Sequence, residues 1–154
     1  MRTHLHSGFQ PGTPFSWQSI GYRAEPGIKD KIHSGLFFLD ARKVTTYSDY
    51  LQERMRILQA ELYYLDVPQI VLLTHVDQVC HTVQEDVKYV YTSRTVKDKM
   101  QKAAEFVGIP VSFVLPVRNY ASELSTNCNT DILLLSAVRS ILQAVDDTLD
   151  DQCV

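Results

Sequence analysis

The chain has 154 residues, 45% of them hydrophobic and 21% charged, with a formal net charge of −3. This is the make-up of one soluble globular domain large enough to bury a core. It offers no basic footprint for nucleic acid, no apolar run near the ~20 residues of a membrane span, and no apolar centre of a signal peptide in Met1-Arg2-Thr3-His4-Leu5-His6.

Residues 1–27 gather Gly8, Gly12, Gly21, Gly27, Pro11, Pro14 and Pro26 among Phe9, Phe15, Trp17 and Tyr22. Gly and Pro at that density break helix and strand periods alike. The aromatics argue against a free linker. The expectation is an irregular arm, followed by a regular domain over 28–154.

Leu36-Phe37-Phe38-Leu39 reads as a short buried strand that ends at Asp40. Leu51, Met55, Leu58, Leu62 and Leu65 then recur at helical spacing, and Asp49 with Gln52 resembles a capping box at the start of that helix. Residues 70–73, Ile-Val-Leu-Leu, form a second strand entered through Pro68. A polar segment follows. Val96, Met100, Ala103 and Val107 mark one face of a helix stopped by Gly108 and Pro110. Residues 111–115 read as a third strand, rich in β-branched and aromatic side chains. A final helix is expected over 132–149 with Thr130 as its N-cap. Its first turns are apolar nearly all round, which predicts that this end is buried.

The order strand-helix-strand-helix-strand-helix is that of βαβ units around a parallel sheet. The predicted fold class is α/β, three-layered, of the doubly wound type. In such sheets ligands bind outside the carboxyl ends of the strands. The second strand delivers Thr74-His75-Val76-Asp77 to that edge. An ionised carboxylate accepts from two donors at once, and guanine offers N1–H and its N2 amino group side by side. GTPases use (Asn or Thr)-Lys-x-Asp for this purpose; here His75 stands in place of the Lys. The alternative is that Asp77 caps a turn or a helix start. Asn119 follows the third strand as Asp77 follows the second, and reads either as part of the same site or as a turn in left-handed conformation with Tyr120.

No Gly-x4-Gly-Lys-(Ser or Thr) occurs in the chain, and no Asp-x-x-Gly. The first cradles phosphates and supplies a magnesium-ligating hydroxyl. Phosphoryl transfer rests on such positioning and electrostatics, so no catalytic residue is expected. His75, Cys80 and His81 lie in one loop without a matching pair, and no metal is expected there. Cys80, Cys128 and Cys153, odd in number and scattered, predict free thiols of a reducing cytosol. No nucleophile elbow follows a strand, which speaks against a hydrolase.

Several segments resemble one family. They are Ile28-Lys29-Asp30-Lys31-Ile32-His33, Leu72-Leu73-Thr74-His75-Val76-Asp77, Asn119-Tyr120-Ala121-Ser122-Glu123, and the stretch from Asp131-Ile132-Leu133 through Ala144-Val145-Asp146-Asp147. In this order they are similar to the interferon-induced protein 44 family, including its 44-like member, from about Ile28 to the end. The resemblance implies the C-terminal half of a GTPase-like P-loop domain in a cytoplasmic protein of the antiviral immune response. It implies that Thr74, His75, Asp77 and Asn119 face the guanine base, while the phosphate-binding half lies outside this sequence. No cofactor is expected on this chain, GTP or GDP being the ligand of an intact family domain. Two functions remain open: a GTP-binding-like module that takes guanine nucleotide weakly and does not hydrolyse it, or a non-catalytic interaction protein with a vestigial base site. In either, the apolar edge over 36–39 is expected to pair with a protein partner or with a second copy.

Overall fold

A computed structural model describes residues 16–19, 22–25, 27–120 and 127–152. Phe9 and Phe15 of the arm, Ala121, Ser122, Glu123 and Cys153 lie outside the described residues. The chain divides into two units, 1–32 and 33–154. The first holds a 3-10 turn at Ile28–Asp30, with Arg23 ion-paired to Asp30.

The second unit is an α/β fold. Strands β1 (Gly35–Asp40), β2 (Gln69–Thr74) and β3 (Val114–Pro116) form a parallel sheet in the order β1-β2-β3. Phe38 pairs with Leu72, and Leu72 with Leu115. Among the described residues four α-helices accompany the sheet: α1 (Asp49–Tyr64), α2 (His81–Glu85), α3 (Arg94–Val107) and α4 (Cys128–Gln152). Side chains alternate across the strands. Phe37, Leu39, Val71, Leu73 and Val114 pack in one core with Val96, Ala103, Phe106 and Val107 of α3 and with Leu51, Met55 and Leu62 of α1. Ile70 and Leu72 point the other way and meet Leu134, Ala137, Ile141 and Ala144 of α4. The sheet is thus a middle layer between α1/α3 and α4.

Helix α3 follows its sequence pattern closely. Ser93 caps it by accepting from Val96 N–H at 3.3 Å, and Gly108 closes it in left-handed conformation at φ 92°, where a side chain would be strained.

Other expectations change. Helix α1 is capped by Ser48, whose Oγ accepts from Leu51 N–H, so Asp49 is its first residue rather than its cap. Its partly buried stripe runs Leu51, Met55, Leu62, while Leu58 and Leu65 are exposed. Residues Val111–Phe113 form a 3-10 turn, and the strand begins only at Val114. Pro110 fixes the entry, and Phe113 N–H donates to Pro110 O at 3.0 Å instead of to a neighbouring strand. The polar segment after β2 contains α2, too short to leave a periodic signal.

Helix α4 differs most. It starts at Cys128, and Asn127 does the capping by accepting from Thr130 N–H at 3.2 Å; Thr130 is buried inside the helix. Its first turns are not covered all round: Leu133 and Ala137 are buried, whereas Ile132, Leu135, Val138 and Leu142 are exposed. Three layers with one helix on this side supply a partner for one stripe only.

Leu73 is fully buried in the central strand, while Leu135 is 67% exposed. Leu73→Ala is expected to cost about 2–5 kcal/mol in chemical denaturation. Leu135→Ala should change stability by no more than about 0.5 kcal/mol. Equal losses at the two positions would contradict this layering.

Candidate functional site

The carboxyl ends of the three strands converge on one polar edge. β1 ends at Asp40, whose N–H donates to the Tyr47 hydroxyl at 3.0 Å; the Tyr47 ring leans on Phe106 at a centroid distance of 5.2 Å. Ala41 N–H donates to Thr74 O, and Val117 N–H to Leu73 O, so the ladder runs to the edge on both sides of β2. The sheet therefore fixes where Asp40, Thr74 and Arg118 leave it.

Asp40 accepts from Arg42 N–H at 2.9 Å, a turn two residues on that Asp favours. The Arg42 guanidinium returns to the same carboxylate, with Nε at 3.0 and 3.1 Å from its oxygens and Nη2 at 2.6 Å. Its Nη1 donates to Gln78 Oε1 at 2.7 Å, linking the end of β1 to the loop after β2. The Arg42 hydrogen bonds hold the Asp40 carboxyl down at about 2, against a partial opposing push from burial.

The four residues predicted for the base site have different situations. Thr74 Oγ1 donates to Leu39 O at 3.1 Å and lies 2.9 Å from His75 Nδ1. A hydroxyl has one proton, so that proton goes to the carbonyl and Nδ1 of His75 is the donor to Thr74. His75 adopts the left-handed region at φ 58°, ψ 32°, which turns the chain sharply off the strand into the 3-10 turn Val76–Gln78. Its Nδ1 also stands 3.7 Å from Asp40 Oδ1. The imidazole is thus directed toward β1.

Asp77 follows within that turn, its side chain 16% exposed, with Oδ2 at 4.0 Å from Arg118 Nε. Arg118 also reaches the Gln84 carbonyl at 3.5 Å. Asp77 and the chain leaving β3 are therefore brought together, as the parallel order requires. The contact is made by Arg118. Asn119 is exposed, and its backbone is not left-handed. Tyr120 anchors this segment: its hydroxyl accepts from Asn127 N–H and lies 2.8 Å from Asp131 Oδ1 at the start of α4.

The missed members are Asp40, Arg42 and Arg118. The available signal was positional. Asp40 ends its strand as Asp77 follows the next, and Arg118 directly precedes Asn119 after the third. Nothing in the spacing says that two arginines come back onto these carboxylates. The three loop residues considered for a metal have separate partners: His75 with Thr74, Cys80 Sγ with Ser93 Oγ at 3.2 Å, and His81 3.7 Å from Glu85 on α2. Cys80 and Cys128 are free.

Comparison with known proteins gives a consistent picture. Interferon-induced protein 44-like of Homo sapiens is 29% identical over 143 residues, and interferon-induced protein 44 of Homo sapiens 30%. The Mus musculus interferon-induced protein 44 is 29% identical over the same length. Each alignment covers 93% of this chain. The chain spans about a third of the length of the curated relatives it matches, 32% of the two human proteins. No family model matches the chain, and no solved structure does. Its homologues are proteins of these two names, as the quoted segments led one to expect.

The Asp40–Arg42 pairing has a pH signature. A carboxyl whose pKa is lowered from 3.8 to about 2 on folding adds stability above about pH 4, and that stability fades as the pH falls toward about 2. The melting-temperature gap between the wild type and Asp40→Asn is expected to be constant at neutral pH and to close through this window. A gap that stays open at about pH 2 would show that the pair contributes nothing through ionisation.

Proposed function

We propose that this chain is a guanine-base-recognition module, similar to half of a GTP-binding domain, in an interferon-induced protein of the innate immune response. The observation that supports it is Asp77, set just beyond the carboxyl end of the central strand next to Thr74 and within reach of Arg118. Ligands of open α/β sheets bind at that edge. The names of the homologues supply the interferon-induced, immune part of the reading. A cytoplasmic location accompanies it, with free cysteines Cys80 and Cys128 and, among the described residues, no helix long and apolar enough to cross a membrane.

Base binding on this chain is weak in this reading, for a physical reason. A guanine that reaches Asp77 competes with Arg118 for the same carboxylate. No phosphate loop within these residues adds triphosphate affinity, and the chain by itself does not turn over GTP. With GTP and magnesium, purified protein is expected to release phosphate at the background rate. Titration with guanosine nucleotides should show weak binding that Asp77→Ala removes. Sub-micromolar GTP binding that survives Asp77→Ala, or turnover that Asp77→Asn abolishes, overturns this assignment.

A second reading, a non-catalytic interaction module, is favoured by a different observation. Phe38 is 64% and Leu36 39% exposed on β1, an edge strand of the described sheet with neither Pro nor charge between them. Flat apolar edges invite pairing with another chain. Self-association of this kind should appear in light scattering as a rising mass with concentration, and Phe38→Lys should reduce it while leaving the melt cooperative. A monodisperse monomer at high concentration would rule this reading out.

A further inference from the structure

At the opposite end of the sheet, the amino ends of β2 and β3 open into a cleft of about 650 Å³. Ligand-binding cavities run from about 300 to 1,000 Å³ and are mostly apolar with a few placed polar groups. Here Tyr63 of α1, Ile70 of β2, Ile109 and Phe113 before β3, and Leu115 make the apolar lining. None of these residues belongs to the Asp77 edge.

The α4 side of the cleft carries one negative charge and two hydroxyls beside the amide of Gln143. Ser140 spends its hydroxyl proton on Ser136 O at 3.0 Å, and Thr148 spends its own on Ala144 O at 2.9 Å. A hydroxyl with its proton committed has only lone pairs left to offer. Asp147, between them in sequence and one turn on in space, is the sole charged side chain among the lining residues. Ser140, Asp147 and Thr148 recur at helical spacing with Ala144 among them, so the three acceptor side chains form one row along the cleft. A carboxylate or phosphate placed on the Ser140, Asp147 and Thr148 side chains meets acceptors and a negative charge, and only the Gln143 amide offers it a donor from α4. A protonated amine finds partners at each step.

We infer that this cleft binds a small apolar amine, its hydrocarbon body against Tyr63, Ile109 and Phe113 and its ammonium group on the Ser140–Asp147–Thr148 row of α4. The inference stands apart from the guanine-base reading, since the two sites share no residue.

Three compounds with one body and different heads test it on the full chain: 2-naphthylmethylamine, 2-naphthylmethanol and 2-naphthoate, followed by amide chemical shifts in NMR titrations. The amine is expected to move Gly108, Ile109 and Ala144 and to leave His75 and Asp77 unmoved, with affinity falling from amine to alcohol to acid. Asp147→Asn should weaken the amine about fivefold, as an exposed ion pair allows, and leave the alcohol unchanged. Ala144→Trp should fill the cleft and abolish all three; Ser112→Trp, at an exposed rim position, does the same without touching the helix packing. Equal binding of acid and amine, or indifference to Asp147→Asn, overturns the inference. So does movement of the same amides on simple dilution without compound, which would assign the cleft to a second copy of the chain.

Discussion

The pairing of β2 with a parallel strand on each side is the constraint on which the rest depends. Ile70, Val71, Leu72 and Leu73 are buried on both faces of the sheet, which is why they read as one apolar run without alternation. With both ladders fixed, the chain leaves the sheet at three neighbouring points, after Asp40, Thr74 and Pro116. The left-handed turn at His75 then decides where Asp77 goes. A register shift of one residue in β2 would turn its side chains to the opposite faces and would move its exit relative to those of β1 and β3. The polar edge is therefore a consequence of the core rather than an addition to it.

That edge is electrostatically self-contained. Asp40 is taken by Arg42, and Asp77 stands close to Arg118, with the charge of Arg42 also bearing on it. Two carboxylates crowded at a sheet edge would repel each other and pay for desolvation. Arg42 answers both for Asp40 through direct hydrogen bonds, and the Arg118 guanidinium stands 4.0 Å from Asp77. The consequence for function is direct: a ligand at this edge meets partnered groups, and its binding free energy is the difference between its own hydrogen bonds and those it displaces. Discrimination between bases can survive such an exchange, while tight binding needs contacts from elsewhere.

The fold was largely legible because burial writes itself into period. Val96, Met100, Ala103 and Val107 lie on one helix face ended by Gly108, and the short runs at 36–39 and 70–73 are strands in the predicted parallel arrangement. What failed was local chemistry beneath that period. Ser48 and Asn127 cap where Asp49 and Thr130 were expected, since several adjacent residues could serve and only the path of the chain chooses. Val111 and Phe113 have strand propensity, yet after Pro110 the chain closes a 3-10 turn in which Phe113 N–H donates to Pro110 O, so propensity yields to context. At the site, Asp77 and Thr74 were visible as residues delivered by a strand. Arg42 and Arg118 were not, because an arginine is long enough to act several residues from its place in the sequence.

The misjudged end of α4 connects to the edge strand. Leu36 and Phe38 share a sheet face with Ile70 and Leu72, the face that α4 covers. One helix spans β2 and β3 there and leaves β1 bare, while on the other face α1 and α3 together close the larger core. The exposed residues of β1 and the exposed stripe of α4 through Ile132, Leu135 and Leu142 are thus two signs of one asymmetry. Parallel sheets are ordinarily covered on both faces, and contiguous exposed apolar surface marks a place where something else packs. The final helix carries more apolar positions than this side of the sheet covers. Its inward stripe, from Leu133 to Ala144, already meets the sheet, so the apolar surface left uncovered on this side is that of Leu36 and Phe38 on β1 and of the outward face of α4.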